Sequence, residues 1–122
     1  MNVDSLYSIE SRERRADEIE YHLRLDATHP VYRAHFPDEP VTPGVCLVRM
    51  AVELLGDAIG RRMRLSVLRN AKFLSVLSPI ETPEVECVVR KISMDDEEVS
   101  GTSEIRSKES VIARISLICH IF

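Results

Sequence analysis

Closely spaced cysteine pairs are absent from this sequence. Its three cysteines, Cys46, Cys87 and Cys119, are odd in number and far apart, with no CxxC or CxxH pair. Neither a zinc site nor a disulfide framework is therefore indicated, and the expectation is of buried, reduced thiols in a cytoplasmic protein. A surplus of positive charge is absent too. Sixteen Lys and Arg stand against 20 Asp and Glu, a net charge of −4, which argues against a nucleic-acid partner. No apolar run approaches the ~20 residues that a membrane helix needs. The first residues show no basic segment followed by an apolar run, so neither a secretory signal nor a membrane partner is expected. Repeats and low-complexity stretches are also missing. What remains is a chain of 122 residues, 44% of them apolar, which is enough for a real core and suits one domain over residues 1–122.

Hydrophobic periodicity divides the chain. Leu6 to Arg14 is a weak strand. Glu18 to Asp26 alternates, with Ile19, Tyr21, Leu23 and Leu25 on one side and charged residues or His22 on the other, the period of a half-buried strand. From Ala27 to Pro43 the pattern stops, and Pro30, Pro37, Pro40 and Pro43 stiffen a long loop. Loops of that length inside a compact domain are usually functional. Gly44 to Ile59 reads as a helix ending at Gly60, apolar nearly all round and so expected to be mostly buried. Arg49, Glu53 and Asp57 are its clearly polar residues, four apart on one stripe. Strand-like segments follow at Leu65 to Leu77, Glu84 to Met94, Glu98 to Arg106 and Val111 to Phe122. The sum is an α+β domain, an antiparallel sheet around one long helix.

The informative segment is His35-Phe36-Pro37-Asp38-Glu39-Pro40-Val41-Thr42-Pro43-Gly44-Val45. A histidine sits in a rigid loop nine residues before a glycine that opens an apolar helix. Glycine lets a ligand approach the backbone. The free N–H groups of the first helical turn, with the positive end of the helix dipole behind them, point at that ligand. A base held beside an oxyanion-binding helix end is what proton removal next to a carbonyl requires.

This segment resembles the HFP-x-x-P-x-x-PG motif of the β-hydroxyacyl-(acyl carrier protein) dehydratases. The Ala71-Lys72-Phe73 stretch, a proline-containing turn and the later strands resemble the rest of that fold. The resemblance implies a hot-dog fold, a dimer or higher oligomer, and elimination of water from a 3-hydroxyacyl thioester in fatty-acid or related acyl-chain synthesis. It implies no metal and no organic cofactor, with substrate carried on the phosphopantetheine of an acyl carrier protein. It makes His35 the base and gives the backbone amides at Gly44 and Val45 the thioester carbonyl. A helix carboxylate five residues after the glycine, usually from the other subunit, then assists the leaving hydroxyl.

The sequence departs from the family at that last position, which holds Arg49; Glu53 lies one turn later, and Asp38 follows the His-Phe-Pro triplet. Hydroxide leaves poorly without a proton, and a guanidinium does not donate one at neutral pH. Losing acid catalysis commonly costs ~10²–10⁴ in rate. Arg49 is either a ligand contact or a partner for Glu53. Glu53, displaced by ~5–6 Å along the helix, reads better as that partner than as a substitute acid. Three functions therefore stand: a dehydratase-like lyase, a catalytically weak acyl-thioester-binding subunit paired with another hot-dog chain, or a hot-dog thioesterase using Glu53. Arg61, Arg62 and Arg64 form either a docking patch or a solvated turn.

Overall fold

The computed structural model describes residues 5–34 and 38–122. His35 therefore lies outside the described residues, as do Phe36 and Pro37. The elements are β1 (Tyr7–Arg15), β2 (Glu18–Leu25), α1 (Pro30–Ala34), α2 (Gly44–Ile59), β3 (Met63–Phe73), β4 (Glu84–Asp95), β5 (Glu98–Arg106) and β6 (Val111–Ile121). The six strands form one antiparallel sheet in the order β1-β2-β4-β5-β6-β3. The α+β architecture of one long helix against an antiparallel sheet is the one the alternating patterns predict.

The period-two strands behave as expected. Ile19, Tyr21, Leu23 and Leu25 of β2 are buried, as are Ala113, Ile115, Leu117 and Cys119 of β6. They receive Leu47, Met50, Ala51, Leu54 and Leu55 from α2. Burial pushes the Cys87 thiol up to about 12 and the Cys119 thiol up to about 11, so both stay protonated at neutral pH and behave as small apolar side chains. The helix ends where the sequence predicts. Gly60 adopts φ 70°, ψ 28°, and its N–H caps the last turn, a left-handed conformation that glycine takes without a Cβ penalty.

Four local expectations need correction. The loop before α2 contains a short helix, α1. Strand β3 stops at Phe73 rather than Leu77, because Leu74 N–H and Ser75 N–H both turn to the Ile112 carbonyl, at 2.8 and 3.2 Å. Glu20, on the charged side of β2, is buried; Arg106 from β5 covers it at 2.9 Å. Helix α2, apolar nearly all round, buries one side only. Val45 is 76% exposed, and Val48 and Val52 are half-buried.

Edge strand β1 is held to the helix by polar side chains. Arg12 grips Asp57 through two hydrogen bonds of 2.8 and 2.9 Å, and Tyr21 donates to the same carboxylate at 2.8 Å. Two turns of sequence logic thus resolve: the polar stripe on α2 faces partners on β1 and β2. The Arg12 hydrogen bonds hold the Asp57 carboxyl below the usual carboxylate range. A group whose folded pKa is depressed contributes stability above its unfolded pKa, ~4 for Asp, and loses it as pH falls through the folded value. Asp57→Asn should therefore destabilise the protein at pH 7, with the gap to wild type closing below about pH 4. Urea unfolding across pH 2–8 checks this, and a gap that stays constant over that range would contradict it.

Candidate active site

The loop that precedes α2 is anchored on both sides of the undescribed residues 35–37. On the near side, α1 carries Tyr32, which is buried. On the far side Thr42, also buried, shares a 2.9 Å hydrogen bond between its hydroxyl and that of Tyr32. The Thr42 N–H donates to the Leu77 carbonyl at 2.8 Å. A buried hydroxyl without a partner costs about 1–3 kcal/mol, so this pair fixes the spacing between α1 and the start of α2.

At that start, Pro43 takes the N-cap position with extended backbone. The Pro43 carbonyl accepts from Cys46 and Leu47. The N–H groups of Gly44 and Val45 make no hydrogen bond among the described residues. They are donors at the positive end of a helix of sixteen residues. A Cβ built on Gly44 would stand 3.0 Å from Cζ of Phe73, at the end of β3. Glycine is what lets that ring close on the helix start. Phe73, Leu74 and Val76 are themselves exposed, as is Val45.

Arg49 and Glu53 lie farther along the open side of the helix. Arg49 is 61% exposed and donates from Nε to Glu53 Oε2 at 3.4 Å. The other Glu53 oxygen accepts from the Tyr7 hydroxyl at 2.9 Å. Burial, followed by the neighbouring Glu53 charge, moves the Tyr7 phenol far above its ordinary value, so it stays protonated and can donate to Glu53. A small cavity of about 100 Å³ lies between this pair, Cys46, Met50, His29 just before α1 and Val31 within it. The geometry thus makes Glu53 a doubly held partner, the role the sequence favoured for it. Tyr7 had no signal of its own in the sequence. The stripe of charges on an apolar helix was the clue that such partners exist.

The other histidines are accounted for on strand surfaces and at the loop. His22 lies 3.2 Å from Glu20 and 3.5 Å from Glu86, His120 lies 3.7 Å from Glu98, and His29 Nδ1 accepts the Val31 N–H. Among the described residues, one group, Glu13, Glu20 and His22, brings potential metal-ligating atoms within 4.8 Å of one another. Its central carboxylate is already bound to Arg106, and the group sits on the sheet, away from α2.

The family model of the ApeI-like dehydratases matches residues 11–109. The chain belongs to this family. The matched stretch contains the whole motif and all of α2. A FabZ 3-hydroxyacyl-acyl-carrier-protein dehydratase from Clostridium acetobutylicum is 24% identical over 95 residues, 72% of this chain and 67% of that relative. Among solved structures, the dehydratase heterocomplex ApeI:P from Xenorhabdus doucetiae superposes with a TM-score of 0.67 at 20% identity, covering 93% of this chain and 97% of that one. A thioesterase-like protein from Lactococcus lactis, yhdA, gives a TM-score of 0.70 at 14% identity, covering 99% and 97%. The fold is the hot-dog fold.

Because the two hydroxyls are each other's buried partner, Tyr32→Phe and Thr42→Val should each cost about 1–2 kcal/mol of unfolding free energy. The double variant should cost clearly less than their sum. Denaturant unfolding of all three checks this, and strict additivity would mean that the bond does not couple α1 to α2.

Proposed function

We propose that the protein is a dehydratase-like lyase acting on 3-hydroxyacyl groups carried as thioesters by an acyl carrier protein. The family match over residues 11–109, which encloses the motif from His35 to Gly44, carries this reading. In the proposed reaction His35 removes the α-proton, while the N–H groups of Gly44 and Val45 receive the negative charge that builds on the thioester oxygen. The C2–C3 double bond forms as the C3–O bond breaks, and the hydroxyl leaves as water, taking the proton that His35 carries over from C2. The step calls on no metal and no organic cofactor; the phosphopantetheine arm of the carrier is part of the substrate. The setting is the cytoplasm, where the three cysteines, all free of disulfides, stay reduced.

The working unit in this reading is a dimer or larger assembly. Strand β3 is a sheet edge whose Leu65, Val67 and Leu68 are 41–46% exposed. An apolar edge of that kind favours pairing with another strand. A second copy paired there would cover Val45 and Phe73 and bring its own helix toward the site. Size-exclusion chromatography with light scattering at micromolar concentration should give at least a dimer; a monomer would remove this part of the reading.

Arg49 favours a second reading beside the first, a catalytically weak subunit completed by another hot-dog chain that supplies the carboxylate. The observation behind it is that position 49 offers a guanidinium already engaged by Glu53, not an acid. The discriminating experiment incubates the purified protein with a 3-hydroxyacyl-carrier substrate and reads products by mass. If Arg49 merely stands where an acid is needed, the homodimer is slow and Arg49→Glu raises dehydration at least tenfold, ~1.4 kcal/mol. Efficient wild-type turnover abolished by Arg49→Glu would make Arg49 part of the machinery. Hydrolysis of the thioester without dehydration would point to a thioesterase using Glu53.

A further inference from the structure

Three arginines cluster where α2 gives way to β3. Arg61, Arg62 and Arg64 are exposed, and none has a carboxylate within ion-pair distance among the described residues, whereas Arg12, Arg15, Arg24, Arg90, Arg106 and Arg114 all do. Two of the three are held in place. Arg62 and Arg64 both lie over the ring of Phe122, 5.6 and 5.9 Å from its centroid. A cation near a helix C-terminus offsets the dipole's partial negative charge of about half a unit. That accounts for one of these charges, not three.

Arg61 and Arg62 close one end of a groove of about 690 Å³ that follows α2 back to Arg49, and Arg64 stands beside them over Phe122, which also lines the groove. From Arg49 to Gly60 the helix rises about 16 Å at 1.5 Å per residue, room for an extended arm rather than a single ion. The two acidic residues on its wall are already engaged, Glu53 by Tyr7 and Arg49, Asp57 by Arg12 and Tyr21. The charge left over in the groove is positive. Topology adds a second argument. A two-fold pairing through β3 runs the strands antiparallel, so the arginine end of one β3 meets the Phe73 end of the other, where Gly44 opens the partner's helix.

We infer that this groove seats the phosphate of the arm carrying the thioester, with Arg61, Arg62 and Arg64 as its receptors and the acyl group reaching the first turn of α2 in the partner subunit. The inference rests on the dehydratase reading for the identity of the arm. Guanidinium groups suit phosphate because their N–H forks match its oxygens.

Calorimetric titration of the wild-type protein with 4′-phosphopantetheine and with pantetheine, which lacks the phosphate, tests the groove without any turnover. The phosphorylated probe should bind at least tenfold more tightly. The advantage should vanish in the Arg61→Gln, Arg62→Gln, Arg64→Gln triple variant, which keeps polar side chains at these exposed sites, and circular dichroism should show that variant folded. Equal binding of the two probes, binding of neither, or an advantage that survives in the triple variant would each overturn the inference. So would a triple variant weakened toward an intact acyl carrier protein yet unchanged toward 4′-phosphopantetheine, which would make the occupant an acidic protein face. Arginine-dependent phosphate binding with thioester hydrolysis and no dehydration, in the wild type and in Arg49→Glu alike, would leave the groove standing and remove the dehydratase reading instead.

Discussion

A helix that is apolar on nearly every side cannot be satisfied by one sheet. The sheet side of the helix buries Leu47, Met50, Ala51, Leu54, Leu55, Gly56 and Ala58. Everything else about the molecule follows from what happens to the uncovered side. There the valines stand open at the amino-terminal end, and the charged stripe runs toward the carboxy-terminal end. Burying one face of α2 fixes its axis against the sheet; leaving the other face bare leaves Arg49 and the arginine groove open. The fold places the chemistry by leaving one part of its most apolar element unburied.

The loop in front of the helix solves a different problem. Its prolines limit the backbone, but rigidity without attachment would not fix the loop against the start of the helix. The Tyr32–Thr42 hydroxyl pair and the Thr42–Leu77 backbone bond supply that attachment, tying the loop to the buried end of the segment after β3. The same segment brings Phe73 against Gly44. The amino-terminal end of α2 is therefore defined from two directions by residues more than thirty positions apart in the chain.

Strong periodicity made much of this legible in the sequence. Helix α2 begins and ends at the residues its apolar pattern and Gly60 indicate, and β2 and β6 bury the side that alternation assigns. Short-range signals failed where the cause is long-range. Helix α1 hides in a proline-rich stretch because one turn of helix has too few residues to display a period. Strand β3 reads four residues too long because Leu74, Val76 and Leu77 are apolar enough for a strand, while the N–H groups of Leu74 and Ser75 are drawn to Ile112. The Tyr7–Glu53 and Arg12–Asp57 links span more than forty residues, and their only trace in the sequence is a row of charges on a helix that otherwise avoids them. For the site itself, the motif residues were readable as a resemblance, and the open amides at Gly44 and Val45 followed from the helix start.

The two margins of the sheet are chemically unlike. One is β3, where exposed Leu65, Val67 and Leu68 are interspersed with Arg64, Arg69 and Lys72. The other is β1, whose Glu10, Arg12, Glu13, Arg14 and Arg15 crowd its outer half with charge. A strand approaching β1 would have to desolvate those groups, several of them already committed to partners within the chain. In the proposed dimer, growth of the sheet by edge addition would therefore be self-terminating: copies joined through β3 would expose only their charged β1 margins, and the ribbon that would otherwise lengthen into a fibre would be closed off at both ends after a single union.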